Sequence, residues 1–163
     1  MIRTAILVVS DSRGDKSSKK PDLCIPVITS FLEGKEFKIV ESLIVKDEIS
    51  DIQSAIKKWI DDSSIELILT SGGTGVSPRD VTPEATKPLL TRELPGVAEA
   101  MRAYSLKKTV RAVLSRAVAG LANDTLIVNL PGSPKGAVEN LEAVFESFGH
   151  IIEKGRGDTS DCA

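Results

Sequence analysis

The chain has 163 residues, 41% of them hydrophobic and 27% charged, which is long enough for one domain with a buried core. Its 21 Lys and Arg against 23 Asp and Glu leave a net charge of -2, so no global basic field awaits nucleic acid, and one Trp, one Tyr and four Phe make poor stacking platforms. One His and two Cys, at positions 24 and 162, exclude a zinc site of four thiolates, or of two thiolates and two imidazoles, within the chain and leave any histidine triad resting on His150 alone. The chemistry is therefore expected to fall to carboxylates, backbone amides and a hard metal ion.

In chain order, the first apolar stretch ends at the polar run Ser10-Asp11-Ser12-Arg13. It is too short for a signal peptide and reads as a strand over Thr4–Val9. No stretch approaches the ~20 apolar residues of a membrane span. A cytoplasmic protein with reduced thiols and no membrane partner is expected. Ser12–Lys20 is a polar low-complexity stretch, and a helix follows near Pro21–Leu32 with Pro26 in its first turn. Phe37–Val45 reads as the second strand. Ile52, Ala55, Ile56, Trp59 and Ile60 then recur at helical spacing behind Ser50 or Asp51 as N-cap. Ile65–Thr70 is the third strand, Thr82-Pro83-Glu84 opens a capped helix, and Val97–Leu106 is another. After a strand at Thr125–Leu130, a last helix places Val138, Leu141, Val144, Phe145, Phe148 and Ile152 on one face, with Ser133 as N-cap and Pro134 in its first turn. Residues 156–163 form a polar tail. Nearly continuous Ile/Leu/Val strands alternating with helices imply a single α/β domain over residues 1–163, three-layered, with a mostly parallel sheet and helices on both faces.

Ligands of such sheets bind beyond the carboxyl ends of the strands. The segments that follow the strands are Ser10–Gly14, Lys46-Asp47-Glu48, Ser71–Asp80 and Pro131–Gly136. Gly72, Gly73 and Gly75 around Thr74 let the backbone approach a ligand and turn its N–H groups toward an anion, although a tight turn alone would need one or two glycines. The loop matches neither the P-loop nor the dinucleotide fingerprint. Arg79 and Asp80 could hold phosphate oxygens and Mg2+, unless Asp80 only caps the following helix. Asp47 and Glu48 could be solvated or capping residues. With Asp80, on what reads as a neighbouring strand end, Asp47 would suit metal-assisted phosphoryl or nucleotidyl transfer. Pro131-Gly132-Ser133 leads into a helix N-terminus that favours an anion, and Lys135 and Gly136 in its first turn are not explained by capping. His150 reads as a surface residue, and neither Cys24 nor Cys162 as an activated thiol.

Leu67–Gly75 followed by Pro78-Arg79-Asp80-Val81-Thr82-Pro83-Glu84-Ala85-Thr86 resembles the signature of the molybdenum-cofactor biosynthesis family, which includes molybdopterin adenylyltransferases of the MogA type, MoaB proteins and the G domain of gephyrin. Val8–Ser12, Ile44–Glu48, Leu94-Pro95-Gly96, Leu114-Ser115-Arg116 and Asn129–Ser133 match as well, so the resemblance runs from about residue 4 to 153. It implies a homotrimer, or a hexamer built as a dimer of trimers. It also implies that the chain binds molybdopterin, uses ATP as co-substrate with Mg2+, and hands its product to a molybdenum-insertion protein. By position, Asp47 and Asp80 match the family's acidic pair and are assigned to metal and catalysis. Ser71, Gly72, Gly73, Thr74, Gly75, Arg79, Pro131, Gly132 and Ser133 are assigned to substrate binding. Where family members often carry Asp-x-Ser-Gly or Asp-x-Gly, this chain has Asp22-Leu23-Cys24, and its length is closer to MoaB proteins. A non-catalytic molybdopterin-binding or scaffold protein is the alternative.

Overall fold

The computed structural model describes residues 1–14 and 21–159, so most of the Ser12–Lys20 stretch, Cys162 and the rest of the last four residues of the expected tail lie outside the described residues. One sheet holds six strands, β1 (Ile2–Val9), β2 (Phe37–Val45), β3 (Leu67–Ser71), β4 (Arg92–Glu93), β5 (Ala119–Ala122) and β6 (Thr125–Leu130), in the order β2-β1-β3-β6-β5-β4. The first four in that order run parallel, and β5 and β4 extend the edge by antiparallel pairing. From β1 the chain moves outward to β2 and then crosses back to β3 on the other side of β1. The winding reverses there, and the crevice at the carboxyl ends of β1 and β3 is where such sheets take ligands.

The helices are α1 (Asp11–Gly14), α2 (Cys24–Leu32), α3 (Ile49–Asp61), α4 (Thr82–Thr86), α5 (Pro95–Leu106), α6 (Pro134–Val144) and α7 (Phe148–Gly155). Successive strand side chains point to opposite faces, so one apolar run serves two cores. Ile6 and Val8 of β1 pack under α2, α5, α6 and α7, while Ala5, Leu7 and Val9 pack under α3 and α4. The second layer centres on Trp59, whose fully buried side chain makes Trp59→Ala a loss of ~3–5 kcal/mol. This is the three-layer, mostly parallel α/β fold expected.

Several local expectations are corrected. α3 begins at Ile49, before Ser50 or Asp51 could cap it; extended Glu48 is its N-cap and makes no side-chain cap bond. Val81, not Thr82, is the N-cap of α4, because the Thr82 hydroxyl donates instead to the Gly72 carbonyl at 2.8 Å. The single last helix is two, α6 and α7, parted by a tighter turn over Phe145–Ser147 that lets both stripes reach the core. The third strand starts at Leu67, later than the expected Ile65. The β4–β5 edge had no signal, since Ala119-Gly120-Leu121-Ala122 lacks β-branched residues. Gly120 is required there because a Cβ would lie 2.4 Å from the Arg92 carbonyl oxygen. The hairpin from β5 to β6 turns through Asn123, at φ 53°.

Candidate functional site

The carboxyl ends of β2, β1, β3 and β6 bring Asp47, Asp11, the Gly72–Gly75 loop and Pro131–Ser133 to one edge. Asp47 and Asp80 do not sit on neighbouring strand ends, because β1 lies between β2 and β3. The end of β1 bridges them. The Asp11 N–H donates to Asp47 Oδ2 at 2.6 Å, and the Asp47 N–H donates back to Asp11 Oδ1 at 3.0 Å. The Arg79 guanidinium donates twice to Asp11, at 2.9 and 3.0 Å, and once to Glu48 at 2.8 Å. Arg79 thereby holds Asp11 below the usual carboxylate range, and its own pKa is raised by the two carboxylates. Nε and Nη2 of its guanidinium thus donate to protein carboxylates, and the side chain is half exposed.

Asp47 behaves oppositely. Burial pushes its carboxyl above the ordinary value, and the charges of Asp11 and Asp80 add to that, while the Asp11 amide and Arg79 oppose it. Asp80 lies across the glycine loop. Its Oδ2 accepts the Ser77 N–H at 2.9 Å and sits 2.8 Å from where a Gly75 Cβ would be. Asp47 Oδ1 lies 3.2 Å from the corresponding point at Gly73. The two carboxylates thus approach the loop at residues two apart. Asp80 does not cap α4.

The four glycine-loop residues divide by function. Gly72, at φ 110°, donates its N–H to the Leu130 carbonyl at 3.1 Å, and a Cβ there would lie 2.2 Å from the Val9 carbonyl oxygen. Ser71 is buried, with its hydroxyl donating to the Pro131 carbonyl at 2.9 Å. These two therefore tie the loop to the end of β6, with the Ser71 hydroxyl and the Gly72 N–H donating to protein carbonyls. From Gly73 onward the situation changes. Among the described residues, the N–H groups of Gly73, Thr74, Gly75 and Val76 find no protein acceptor. Consecutive free amides form a concavity for an anion.

Gly73, Thr74, Gly75 and Asp80, together with Pro131, Gly132 and Ser133, line a cleft of about 520 Å³, while Val76 lies outside it. Its far wall carries Lys108, Arg111 and Asn140, which sequence reasoning did not single out. Their only signal was position: Lys108 and Arg111 follow α5 and Asn140 lies on α6, which the sequence gives no reason to face the glycine loop. Asp47, Ser71, Gly72 and Arg79 do not line the cleft. Ser133 caps α6 as expected, accepting the Gly136 N–H at 3.1 Å, and a Cβ at Gly136 would lie 2.6 Å from that hydroxyl. Capping therefore explains Gly136 after all. The Asp22-Leu23-Cys24 departure is also structural. Asp22 accepts the N–H groups of Cys24 and Ile25 at 3.1 and 2.8 Å, and the buried Cys24 thiol donates to the Gly132 carbonyl at 3.3 Å.

Among the described residues no group of three or more His, Cys, Asp or Glu is arranged to hold a metal. Two carboxylates beside an anion cradle fit Mg2+, which takes one or two protein carboxylates and completes its shell with phosphate oxygens and water. Asp47 is raised first by burial and then by the charges of Asp11 and Asp80, and a cation beside it would favour its charged form. No described helix is long and apolar enough to cross a membrane.

Fold and site together define an α/β domain that gathers, among the described residues, loop amides without a protein acceptor and a pair of carboxylates at the switch point of its sheet. More narrowly, the chain belongs to the family described as a probable molybdopterin binding domain, whose model matches residues 5–150. The chain is 46% identical over 110 residues to the molybdopterin adenylyltransferase of Helicobacter pylori, an alignment covering 68% of this chain and 62% of that protein. It is 39% identical over 153 residues to the molybdenum cofactor synthesis protein cinnamon of Drosophila melanogaster, covering 93% of this chain but 25% of that much longer protein. Its structure superposes on the molybdopterin biosynthesis enzyme MoaB from Thermus thermophilus with a TM-score of 0.88 at 47% identity, covering 97% of this chain and 98% of the other.

Proposed function

We propose that this chain transfers AMP from ATP to the terminal phosphate of molybdopterin. A phosphate oxygen of molybdopterin attacks the α-phosphorus of ATP, the bond from that phosphorus to the bridging oxygen breaks, and pyrophosphate leaves. The observation that carries the reading is the run of four amides, Gly73 to Val76, without a protein acceptor among the described residues and flanked by two carboxylates. Positioned amides stabilise charge that develops on phosphoryl oxygens at no cost of reorganisation during the reaction. Asp47 and Asp80 would hold Mg2+, which when bound offsets phosphate charge and aligns the reacting groups. Gly132 and Ser133 form the wall against which the second substrate rests, and Lys108 and Arg111 place positive charge on the far side of the cleft.

The kinship to a named adenylyltransferase supports the reaction, and the family's description as a molybdopterin binding domain supports a second reading, a molybdopterin-binding protein that does not turn over. Incubating the protein with molybdopterin, ATP and Mg2+ separates them. Pyrophosphate and adenylylated pterin in equal amounts are expected. Tight molybdopterin binding without either product would leave the binding protein standing and remove the enzyme.

The same reading includes a homotrimer, a cytoplasmic site and passage of the product to a metal-insertion protein. Exposed Val110, Val113 and Leu114 beside the cleft support self-association, since contiguous apolar groups are seldom left to water. Light scattering at micromolar concentration checks it, with three chains per particle the expected mass and a monomer the contrary one.

A further inference from the structure

We propose that Arg116 is the positioning residue of this site, fixing the free loop amides and the Asp80 carboxylate in one arrangement. Only the kinetic part of its test rests on the adenylyl-transfer reading. Residues Val76 to Arg79 form an exposed excursion, and the carbonyls of Gly75 and Asp80 stand at its two ends. One side chain takes both. Arg116 Nε donates to the Gly75 carbonyl at 2.7 Å, and Nη2 donates to the Asp80 carbonyl at 2.6 Å. The Arg116 backbone N–H donates to the Thr74 carbonyl at 2.9 Å. Among the described residues no other donor reaches the Gly75 or Asp80 carbonyl.

The consequence for the amides follows from peptide geometry. In a trans peptide the C=O and N–H point in opposite directions. Carbonyls of Thr74 and Gly75 turned toward Arg116 therefore send the N–H groups of Gly75 and Val76 away from it, and these are two of the four amides without a protein acceptor. The same guanidinium pins the Asp80 backbone, which leaves its Oδ2 beside Gly75. Within the excursion the remaining ties are few: Asp80 N–H to the Ser77 carbonyl at 2.8 Å, Ser77 N–H to Asp80 Oδ2, and a long contact from Arg79 N–H to Ser77 Oγ.

Arg102 Nη1 donates to the carbonyls of Ser115 and Ala117 and to none of the loop. Glu84, in the first turn of α4, pairs with the outer face of Arg116. The planar fork is what allows Nε and Nη2 to reach two carbonyls at once, and a lysine ammonium does not reproduce it. Arg116 touches none of the reacting groups in this reading. It acts through the loop.

The test compares Arg116→Ala and Arg116→Lys with Arg102→Ala, which removes two carbonyl bonds from the same segment without touching the loop. Amide hydrogen exchange over Val76 to Thr82 is expected to rise at least tenfold in both Arg116 variants while β1 and β3 amides stay protected. Binding of inorganic pyrophosphate, followed by calorimetry, is expected to weaken about tenfold, and turnover to fall about 30- to 100-fold, as for a misplacement near 1 Å. Arg116→Lys is expected to recover less than threefold of that loss, and Arg102→Ala to keep turnover within threefold. Unchanged loop exchange with unchanged pyrophosphate binding overturns the proposal, as does an equal loss in Arg102→Ala. If the wild-type chain makes no adenylylated product, the reaction assigned above fails, and exchange and pyrophosphate binding still decide the role of Arg116.

Discussion

The loop after β3 and the turn after β6 meet at Gly72 and Gly132, where a Cβ on Gly132 would lie 3.1 Å from the Gly72 Cα. Beyond that meeting point they differ. The β3 loop leaves four successive amides without protein acceptors, and reaches this state through glycines at φ 110° and 64°. The β6 turn commits its amide at Gly136 to the Ser133 hydroxyl, and its Gly132 has no left-handed backbone, only a close neighbour. Among the described residues its Gly132, Ser133 and Lys135 amides find no protein acceptor either. What separates the two segments is the backbone that carries the glycines and the carboxylates beside it, since Asp47 and Asp80 approach the β3 loop at Gly73 and Gly75.

Substitutions can break that contrast, and Asp80→Asn should do so most severely. The amide oxygen can still accept the Ser77 N–H, so folding is kept while the charge beside the free amides is lost. A fall of about 100-fold or more in molybdopterin-dependent turnover is expected, with little change in melting temperature. Unfolding instead would make Asp80 a structural residue.

Asp47→Asn should lower turnover about 10- to 100-fold and yet stabilise the fold. Its carboxyl is raised above the ordinary aspartate value by burial and by Asp11 and Asp80, so the folded chain holds that proton more tightly than the unfolded one. The stability linked to this group is therefore lost as pH rises through the window above the ordinary value. Thermal melts should show the variant more stable than wild type at about pH 7, with the gap closing toward about pH 3.

Gly73→Ala sharpens the contrast from the backbone side. It places a Cβ at φ 64° and 2.4 Å from the Thr82 hydroxyl, for a cost of ~1–2 kcal/mol and a turnover loss of about tenfold. Ser133→Ala is the mildest. Losing the α6 cap should cost ~1 kcal/mol in denaturant unfolding while turnover stays within about twofold. A larger kinetic than thermodynamic effect there would place the β6 turn among the groups that act on the substrate.

Much of this was legible in the sequence. The buried strands announce themselves as continuous apolar runs, the helix at Ile52–Trp59 by its period, and the glycine loop by composition. The rest depended on what folding brings near. Nothing local tells that the Ser71 hydroxyl and Gly72 amide are used by β6, or that Thr82 turns its hydroxyl back to Gly72 instead of capping its own helix. Arg116 was visible only as part of a matched motif. Its three carbonyl partners lie some forty residues earlier, on a loop it reaches only through the antiparallel edge that Ala119–Ala122 failed to signal. The spacing of Asp47 and Asp80 also misled, since strands consecutive in sequence are here separated by β1.

The central claim is that Asp47 and Asp80, held on separate strand-end loops, act together on one divalent cation at the glycine cradle. Electron paramagnetic titration of Mn2+, standing in for Mg2+, in the presence of ATP tests this without relying on turnover. The account predicts saturable binding to the wild-type chain, weakened at least about tenfold by Asp47→Asn and equally by Asp80→Asn, with the double variant no worse than about the weaker single. Mn2+ binding unchanged in Asp80→Asn, or weakened in only one of the two variants, would contradict it.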